Sequence, residues 1–202
     1  MQLAISRELY AYWDALRAGR NAPERNDIDP GAIRGVLADT FVLDFDPKRG
    51  FPFRIAGSRA NALFLRELRG FPFLQLWRES DRGRIEAAVR CAADTAQPQL
   101  LEGEASAPGL ETLEIETTLL PLRQHGSAHS RVLGSIGADA APHWLGLVGV
   151  GPARLKSIRA LDPSKSSGGD GAAPEADCGP SFPDAGSRRE RRFFGWLEFP
   201  GV

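Results

Sequence analysis

Residues 53–77 read FRIAGSRANALFLRELRGFPFLQLW, and this stretch decides the fold. An extended apolar run leads into it and breaks at Gly57; its residues are Phe51, Phe53 and Ile55. A short helical patch follows, closed by Gly70, and its apolar residues are Leu63, Phe64 and Leu68. Five more large apolar side chains then follow closely: Phe71, Phe73, Leu74, Leu76 and Trp77. So much apolar surface near two glycines predicts a segment that crosses over a sheet and packs back onto it.

The sheet is predicted from alternating apolar residues on both sides of that stretch. Residues 40–46 and 51–56 form an antiparallel hairpin around a turn at 47–50. Residues 99–104 begin a third strand, and the clean alternation over 112–119 predicts a half-exposed antiparallel strand. Residues 124–131 form a polar loop, 132–136 extend the sheet locally, and 143–150 are the last strand. Five strands, with helices between the second and third, indicate an α+β domain.

Helices are predicted in three places outside the central stretch. Residues 6–18 carry apolar side chains at helical spacing, Tyr12 and Trp13 among them, so this amphipathic helix packs on its own domain's core. Asp29 before Pro30 predicts the start of a short helix at Pro30. A further helix is capped by Ser80 or Asp81 and ends before Pro98; its apolar face is Ile85, Ala88, Val89 and Ala92.

The composition excludes several classes of protein. The 202 residues, 42% of them apolar, are enough for one packed domain and a tail. The net charge of −1 provides no electrostatic footprint for nucleic acid, and no run of about 18 apolar residues is present to span a membrane. With no signal-peptide pattern and only two cysteines, we expect the cytoplasm as the compartment.

The chain resembles a bacterial family of small PAS-domain proteins over about residues 9–161. The matching features are Asp29-Pro30, the strand end at 53–57, a helical Arg-Glu-Leu at 66–68 with Gly70, and Leu76-Trp77. Leu65 departs from the pattern, because a glycine is expected before Arg-Glu-Leu. The resemblance implies a five-stranded antiparallel sheet with helices on one face and an N-terminal flanking helix. It also offers an alternative for that helix, a homodimer seam that includes Tyr12 and Trp13.

The resemblance further implies ligand sensing or protein interaction without catalysis, and it locates a pocket beneath the central stretch. The expected pocket residues are Phe53, Arg54, Ile55, Phe64, Leu68, Phe73, Trp77, Val89, Leu119 and Trp144. Arg54 or Arg59 either lies in solvent or points to the pocket mouth, where it pairs with an anion or with Glu67. Neither haem nor flavin is expected. The predicted long helix has no histidine, and the short helix has no cysteine in a flavin-type motif.

No catalytic or metal-binding constellation stands out. His125 and His129 have a helical metal-pair spacing, but Gly126 and Ser127 between them indicate a loop. Glu114 and Glu116 share a strand face that we expect to be solvated. Cys91 is expected to be a small core residue. We therefore predict that the protein is not an enzyme and holds no metal or cofactor.

The chain divides into a PAS-like domain over residues 1–161, a disordered linker over 162–187 and a basic-aromatic tail over 188–202. In the linker, 14 of 26 residues are Gly, Pro or Ser. The apolar residues that remain are too few to offset the conformational entropy lost on ordering. The tail reads RRERRFFGWLEFPGV, and its expected contact residues are Phe193, Phe194 and Trp196. These residues fold back on the domain, add to a sheet edge or dock on a partner; the alternative is an unstructured end. We predict a sensory or signalling module that acts through an unknown signalling protein. The alternatives are a ligand-free adaptor and a small enzyme with an unrecognised site.

Overall fold

The computed structural model describes residues 1–124 and 127–162 of the chain. The helices are α1 (Ala4–Arg17), α2 (Ser58–Phe64) and α3 (Arg82–Thr95). The strands are β1 (Thr40–Asp44), β2 (Phe53–Ala56), β3 (Gln99–Ser106), β4 (Thr112–Gln124), β5 (Ser127–Ala138) and β6 (Arg154–Ala160). Short 3-10 turns lie at Leu37–Asp39 and Phe73–Leu76. None of the helices in these described ranges has the length and apolar content needed to cross a membrane.

The strands form one antiparallel sheet in the order β2-β1-β5-β4-β3-β6. β1 and β2 make the predicted hairpin, and α2 and α3 are inserted between the second and third strands. The α+β, PAS-like class is therefore confirmed. The sheet has six strands where the sequence predicts five.

We call the inner face the side of the sheet that α2, the turn Phe73–Leu76 and α3 cover. Side chains of this face and of the covering segments form one buried cluster, which includes Phe64, Leu68 and Trp77. Trp77 lies over Gly103 of β3, where an added Cβ would stand 2.9 Å from the Trp77 ring. Residues 53–77 thus cover the sheet as predicted, because each large side chain removed from water contributes about 1.5–3 kcal/mol.

The outer face is the opposite side, which α1 and the segment 22–36 cover. Leu9 and Trp13 of α1 are fully buried against Leu120 and Leu133. The Trp13 Nε1–H donates to the carbonyl of Pro121 at 2.8 Å. The packing of α1 on its own domain is thereby confirmed.

From Glu116 to Leu122 β4 is buried on both faces, whereas Thr112 and Glu114 are exposed. The prediction of a half-exposed strand is therefore confirmed for the start of β4 and wrong from Glu116 onward.

Residues 143–150 form turns, so the predicted last strand is wrong. The amides of Leu147 and Val148 both donate to the carbonyl of Trp144. Gly146 has φ of +84°, a left-handed conformation that a regular strand does not contain. A Cβ at Gly149 would lie 2.5 Å from the backbone oxygen of Phe64, so this glycine permits a close approach of two backbone segments.

The sixth strand, β6, follows these turns and pairs with β3. Its sequence, RLKSIRA, has only two large apolar residues, so the alternation signal is weak. What holds it is backbone pairing with β3 together with the buried Leu155, and its cations contact carboxylates of β3 and β4, namely Arg154 with Glu104, Lys156 with Glu114 and Arg159 with Glu102. Such partners are invisible to a local reading of the chain.

β5 is also longer than predicted. It begins at Ser127, so the residues of the predicted polar loop largely belong to β4 and β5; residues 125 and 126 lie outside the described ranges. β5 lies between β1 and β4, and backbone hydrogen bonds to both neighbours extend it beyond its apolar core.

No helix begins at Pro30. Residues 30–36 form consecutive turns, although Asp29 Oδ1 accepts a hydrogen bond from the Gly31 amide at 2.8 Å, as a capping side chain would. Gly31 and Gly35 lower the helix propensity of this short segment by about 1 kcal/mol each, which explains the outcome.

The predicted helical Arg-Glu-Leu is also wrong, because α2 ends at Phe64. Leu65 follows in the left-handed region, with φ of +48° and ψ of +46°. The Leu65 amide donates a hydrogen bond to the carbonyl of Ala62, and the Arg66 amide donates one to the carbonyl of Asn61. Helices that end with this pattern usually have glycine at the left-handed position. Leu65 therefore occupies the position where the sequence pattern leads us to expect a glycine.

α3 follows Asp81 as predicted, but Asp81 does not cap it. The Asp81 carboxylate instead accepts a hydrogen bond from the Leu155 amide at 3.0 Å. This contact ties the start of α3 to β6. α3 ends at Thr95, where Ala96 adopts a left-handed conformation.

Candidate functional site

The interior beneath the central stretch is filled by aromatic side chains. The ring centroids of Phe41 and Phe53 are 5.3 Å apart, those of Phe53 and Phe73 5.8 Å, and those of Phe73 and Trp77 6.2 Å. All three pairs meet edge to face, which is the favoured geometry for buried rings. The predicted pocket is thus occupied by the chain's own side chains.

Eight of the ten predicted pocket residues meet in this interior: Phe53, Phe64, Leu68, Phe73, Trp77, Val89, Leu119 and Trp144. Each of them is buried. Their clustering agrees with the sequence analysis, while their role in binding a ligand stays a prediction. The two others, Arg54 and Ile55, lie elsewhere.

Ile55 faces the outer side because the β1–β2 pairing contains a β-bulge. Val42 pairs with Ile55, but the next residue of β1, Leu43, pairs with Phe53, so Arg54 is an extra residue in β2. Side chains alternate along a strand, and one extra residue reverses the faces beyond it. Phe53 therefore points into the interior, while Ile55 is 54% exposed on the outer face.

Ile55 lines an opening of about 490 Å³ that we call the outer groove. It lies between the β1–β2 hairpin and residues 25–37, and its apolar lining includes Ile28, Ile33, Leu37, Val42, Ile55 and Leu133. Leu37 is 41% exposed at its edge. Two large aliphatic side chains left in water beside an apolar floor are typical of a contact surface.

The charges around the outer groove are mainly positive. Arg25 and Arg54 line it, and Asp44 lies 3.9 Å from Arg54 and 3.3 Å from Arg131. Burial lowers the pKa of Arg131, and the charges of Arg25 and Arg54 lower it further. Asp44 thus contacts two guanidinium groups, and the charge of Arg25 acts on Arg131 as well, so the rim carries excess positive charge that favours an anionic partner.

A second opening, of about 580 Å³, lies between the start of α1, α2 and the end of β5. Arg59 and Asp39 line it, and the guanidinium of Arg59 binds both carboxylate oxygens of Asp39 at 2.8 and 2.9 Å. Arg59 also donates to the backbone oxygen of Gly35. The hydrogen bonds to Asp39 raise the pKa of Arg59, so this charge is already neutralised within the chain.

The other arginines of the central stretch also have partners or lie at the surface. The guanidinium of Arg66 stacks over Phe71, 4.1 Å from the ring centroid. Glu67, a candidate partner in the sequence analysis, accepts a hydrogen bond from the Arg69 amide at 3.2 Å and forms no ion pair with Arg54 or Arg59 within the described ranges. Arg54 and Arg59 therefore take Asp44 and Asp39 instead.

The predicted interaction residues fall in different places. Trp13 is fully buried within its own chain, whereas Tyr12 is half-buried and exchanges hydrogen bonds with the backbone of Asp29. Phe193, Phe194 and Trp196 lie outside the described residues, as do the whole predicted tail and all of the predicted linker except Asp162. A homodimer through α1 stays a prediction.

Groups that carry chemistry elsewhere have structural contacts. Glu116 is buried, contrary to the solvated face expected for it, and its carboxylate accepts from the amides of Gln2 at 2.7 Å and Leu3 at 3.1 Å. Glu114 is exposed and binds Lys156 at 2.7 Å. Cys91 is buried beside Thr95. Across residues 1–124 and 127–162, no three His, Cys, Asp or Glu side chains are grouped as metal ligands; His125 and the His129 side chain are outside the description.

Sequence reasoning missed the outer groove. Its two exposed aliphatic residues are Leu37 and Ile55. A helix from Pro30 that carries Leu37, and uninterrupted alternation through Ile55, both predict buried positions, but the helix does not form and the alternation is broken by the bulge.

Comparison with known proteins adds one finding. A protein-family model described as PAS domain matches residues 1–137, about two thirds of the chain. No curated protein and no solved structure gives a significant match. The matched range includes the hairpin, the central stretch, α3 and most of the sheet.

Proposed function

The chain belongs to the PAS domain family, a family of sensory and signalling modules, and from that premise we propose that it acts without catalysis by binding a partner protein at the outer groove. The observation that carries this proposal is the exposure of Ile55 beside an apolar floor, with Leu37 on the other side. A β-bulge exposes the aliphatic side chain of Ile55 to water, and covering it with a partner lowers the free energy.

The chemistry of the groove defines the partner. Its floor offers aliphatic side chains for an apolar anchor, and Arg25 and Arg54 offer guanidinium groups for a carboxylate. A segment with apolar side chains and an acidic residue suits both. Large apolar anchors supply most of the affinity of such contacts, while rim charges mainly affect the rate of association and the specificity.

The test compares two matched variants of the full chain. Ile55→Asp places a carboxylate at the groove, and Leu147→Asp places the same group on a side chain that is 75% exposed and does not line the groove. Each chain is immobilised, and proteins retained from an extract of its own cells are quantified by mass spectrometry. We expect Ile55→Asp to lower retention of a partner at least about tenfold, since an unpaired carboxylate in an apolar contact costs more than about 1.4 kcal/mol.

Leu147→Asp controls for added charge, and thermal melting of both variants controls for folding. A partner retained by wild type and Leu147→Asp but lost from Ile55→Asp supports the proposal. Equal retention by both variants refutes the groove as the contact surface.

A second candidate function is the sensing of a small molecule in the interior. Trp77 Nε1 and Thr117 Oγ1 are both buried without a hydrogen-bond partner among the described residues, and buried polar atoms normally have one. A ligand whose polar group reached either atom would satisfy it. Native mass spectrometry of the full chain from its own cells tests this candidate. An added stoichiometric mass supports it, and the bare chain mass removes it.

A further inference from the structure

The described part of the chain ends on the outer face. The Leu161 amide donates to the backbone oxygen of Pro98 at 2.8 Å, and Gln97 Nε2 donates to the backbone oxygen of Leu161 at 2.6 Å. Leu161 packs against the α1 cluster, and Asp162 is close enough to Tyr10 to contribute to its raised pKa. Whatever follows residue 162 therefore starts on the same face as the outer groove.

The end of the described chain, which we call the exit, and the outer groove also lie near one row of paired residues that runs across the strands of the sheet. Ile55 pairs with Val42 and Val42 with Leu133 on one side, while Gln99 pairs with Ala160 on the other. The β4 residues opposite Leu133 and Gln99 are adjacent in sequence, which completes the row. β6 and β2 are separated by five strand spacings, about 24 Å at ~4.8 Å each.

The chain beyond the exit has the length and the chemistry to fill the groove. Residues 163–192 could span about 100 Å if extended, four times the distance needed. Then comes the segment Phe193–Phe199, FFGWLEF, which has five large apolar side chains and one charge, the carboxylate of Glu198. This composition matches an apolar floor with Arg25 and Arg54 at its rim. The four arginines of residues 188–192 carry the same charge as that rim, so the segment after them is the better match for the groove.

We propose that the segment Phe193–Phe199 docks in the outer groove of its own chain and there competes with the partner protein. This inference rests on the proposed function of the groove. Tethering on one chain raises the effective concentration of the segment to the millimolar order, so even a weak contact keeps the groove covered. A partner must displace the segment, so the segment lowers the apparent affinity of the groove for that partner.

The second opening is a poorer site for the segment. It lies by Gly137 and Ala138 at the far end of β5, away from the row on which the chain leaves the sheet. Its arginine, Arg59, is already bound to Asp39 and offers less to Glu198.

Methyl NMR of the full chain tests the docking. Wild type is compared with the double variant Trp196→Ala/Phe199→Ala, whose substitutions lie outside the described domain. We expect the methyl signals of Ile55 and Leu37 to move when the rings are removed, because aromatic rings shift the signals of methyls they cover. The signals of Leu147, which is exposed elsewhere, should not move. Unmoved Ile55 and Leu37 signals overturn the proposal, as do changes confined to Leu145 at the second opening.

Dilution identifies the occupant. Signals that stay constant over a hundredfold dilution show docking within one chain, whereas signals that revert to those of the double variant show docking by a second copy and overturn the proposal. Glu198→Lys should shift the groove signals part of the way towards the double variant, while Glu190→Lys, its matched control before the segment, should not.

The two proposals fail separately. If only the docking is wrong, Ile55→Asp still loses its partner, while the methyl signals of Ile55 and Leu37 are the same in wild type and in Trp196→Ala/Phe199→Ala. If only the partner contact is wrong, the methyl signals respond to the tail while both aspartate variants retain the same proteins. If both are right, Trp196→Ala/Phe199→Ala raises partner retention above that of wild type.

Discussion

Position 65 should favour glycine over alanine, the reverse of the order inside a helix. It holds φ of +48° just after α2, and more than half of its side chain is exposed. A residue with a Cβ pays about 1–2 kcal/mol to adopt the left-handed conformation, and glycine does not. Glycine in turn loses about 0.4–1 kcal/mol more chain entropy on folding than alanine. The difference leaves Leu65→Gly more stable than Leu65→Ala by about 0.5–1 kcal/mol.

Both variants remove the same side chain down to or past Cβ, so the pair isolates backbone conformation. The free energy of unfolding of each is measured by urea denaturation monitored by circular dichroism. Ala62→Gly, inside α2, is the internal control, and it should destabilise by about 1 kcal/mol because glycine is unfavourable within a helix. If Leu65→Gly is less stable than Leu65→Ala, the left-handed end of α2 is wrong, and with it the path of the chain into the central stretch.

Three further predictions concern buried side chains, each measured by urea unfolding. Gly103→Ala should destabilise by about 1–3 kcal/mol, because the new Cβ would stand 2.7 Å from the backbone oxygen of Arg154 and 2.9 Å from the Trp77 ring; unchanged stability contradicts this packing. Trp13→Phe should cost at least about 1 kcal/mol through the lost hydrogen bond to Pro121, and a neutral result would place α1 elsewhere. Tyr10→Phe should be neutral or stabilising at pH 7, since the Tyr10 hydroxyl is buried without a partner within the described part of the chain. Burial raises the pKa of Tyr10 to about 12, so wild type should lose stability from about pH 10, where an unfolded tyrosine ionises, up to pH 12, and the variant should lack this loss.

The fold was predictable wherever local pattern and burial agree. The apolar side chains of residues 53–77 are the inner cover, and the spacing of Leu9 and Trp13 predicts α1, because amphipathic periodicity reflects which side meets the core. The hairpin of β1 and β2 follows from the turn at 47–50 between two apolar runs. These features depend only on residues near in sequence.

The features that were missed depend on distant residues. β6 is held by backbone pairing with β3 and by the buried Leu155, with surface ion pairs such as Arg154 with Glu104 adding little, and the length of β5 is set by backbone pairing on both edges. The turns at 143–150 follow from the close approach of Gly149 to α2. The residues near each segment do not indicate such distant partners. The local apolar pattern therefore predicts a strand at 143–150, where the structure has turns.

The candidate site was half predictable for the same reason. The interior cluster around Phe73 and Trp77 follows from apolar content, and eight of the expected residues meet there. The groove depends on a single extra residue, Arg54, which reverses the face of Ile55. A period-two pattern cannot reveal that reversal, because the same letters fit a strand without a bulge.

The central claim is that Phe53 and Ile55 lie on opposite faces, so that Ile55 opens onto the groove. The direct measurement is the alkylation rate of a single cysteine, Phe53→Cys or Ile55→Cys, in a full chain in which Cys91 and Cys178 are replaced by alanine and Trp196→Ala/Phe199→Ala leaves the groove uncovered. We predict that the Ile55→Cys thiol reacts at a rate close to that in urea, while Phe53→Cys is protected by burial and reacts many times more slowly. Equal protection of both thiols, or faster reaction at position 53, contradicts the account.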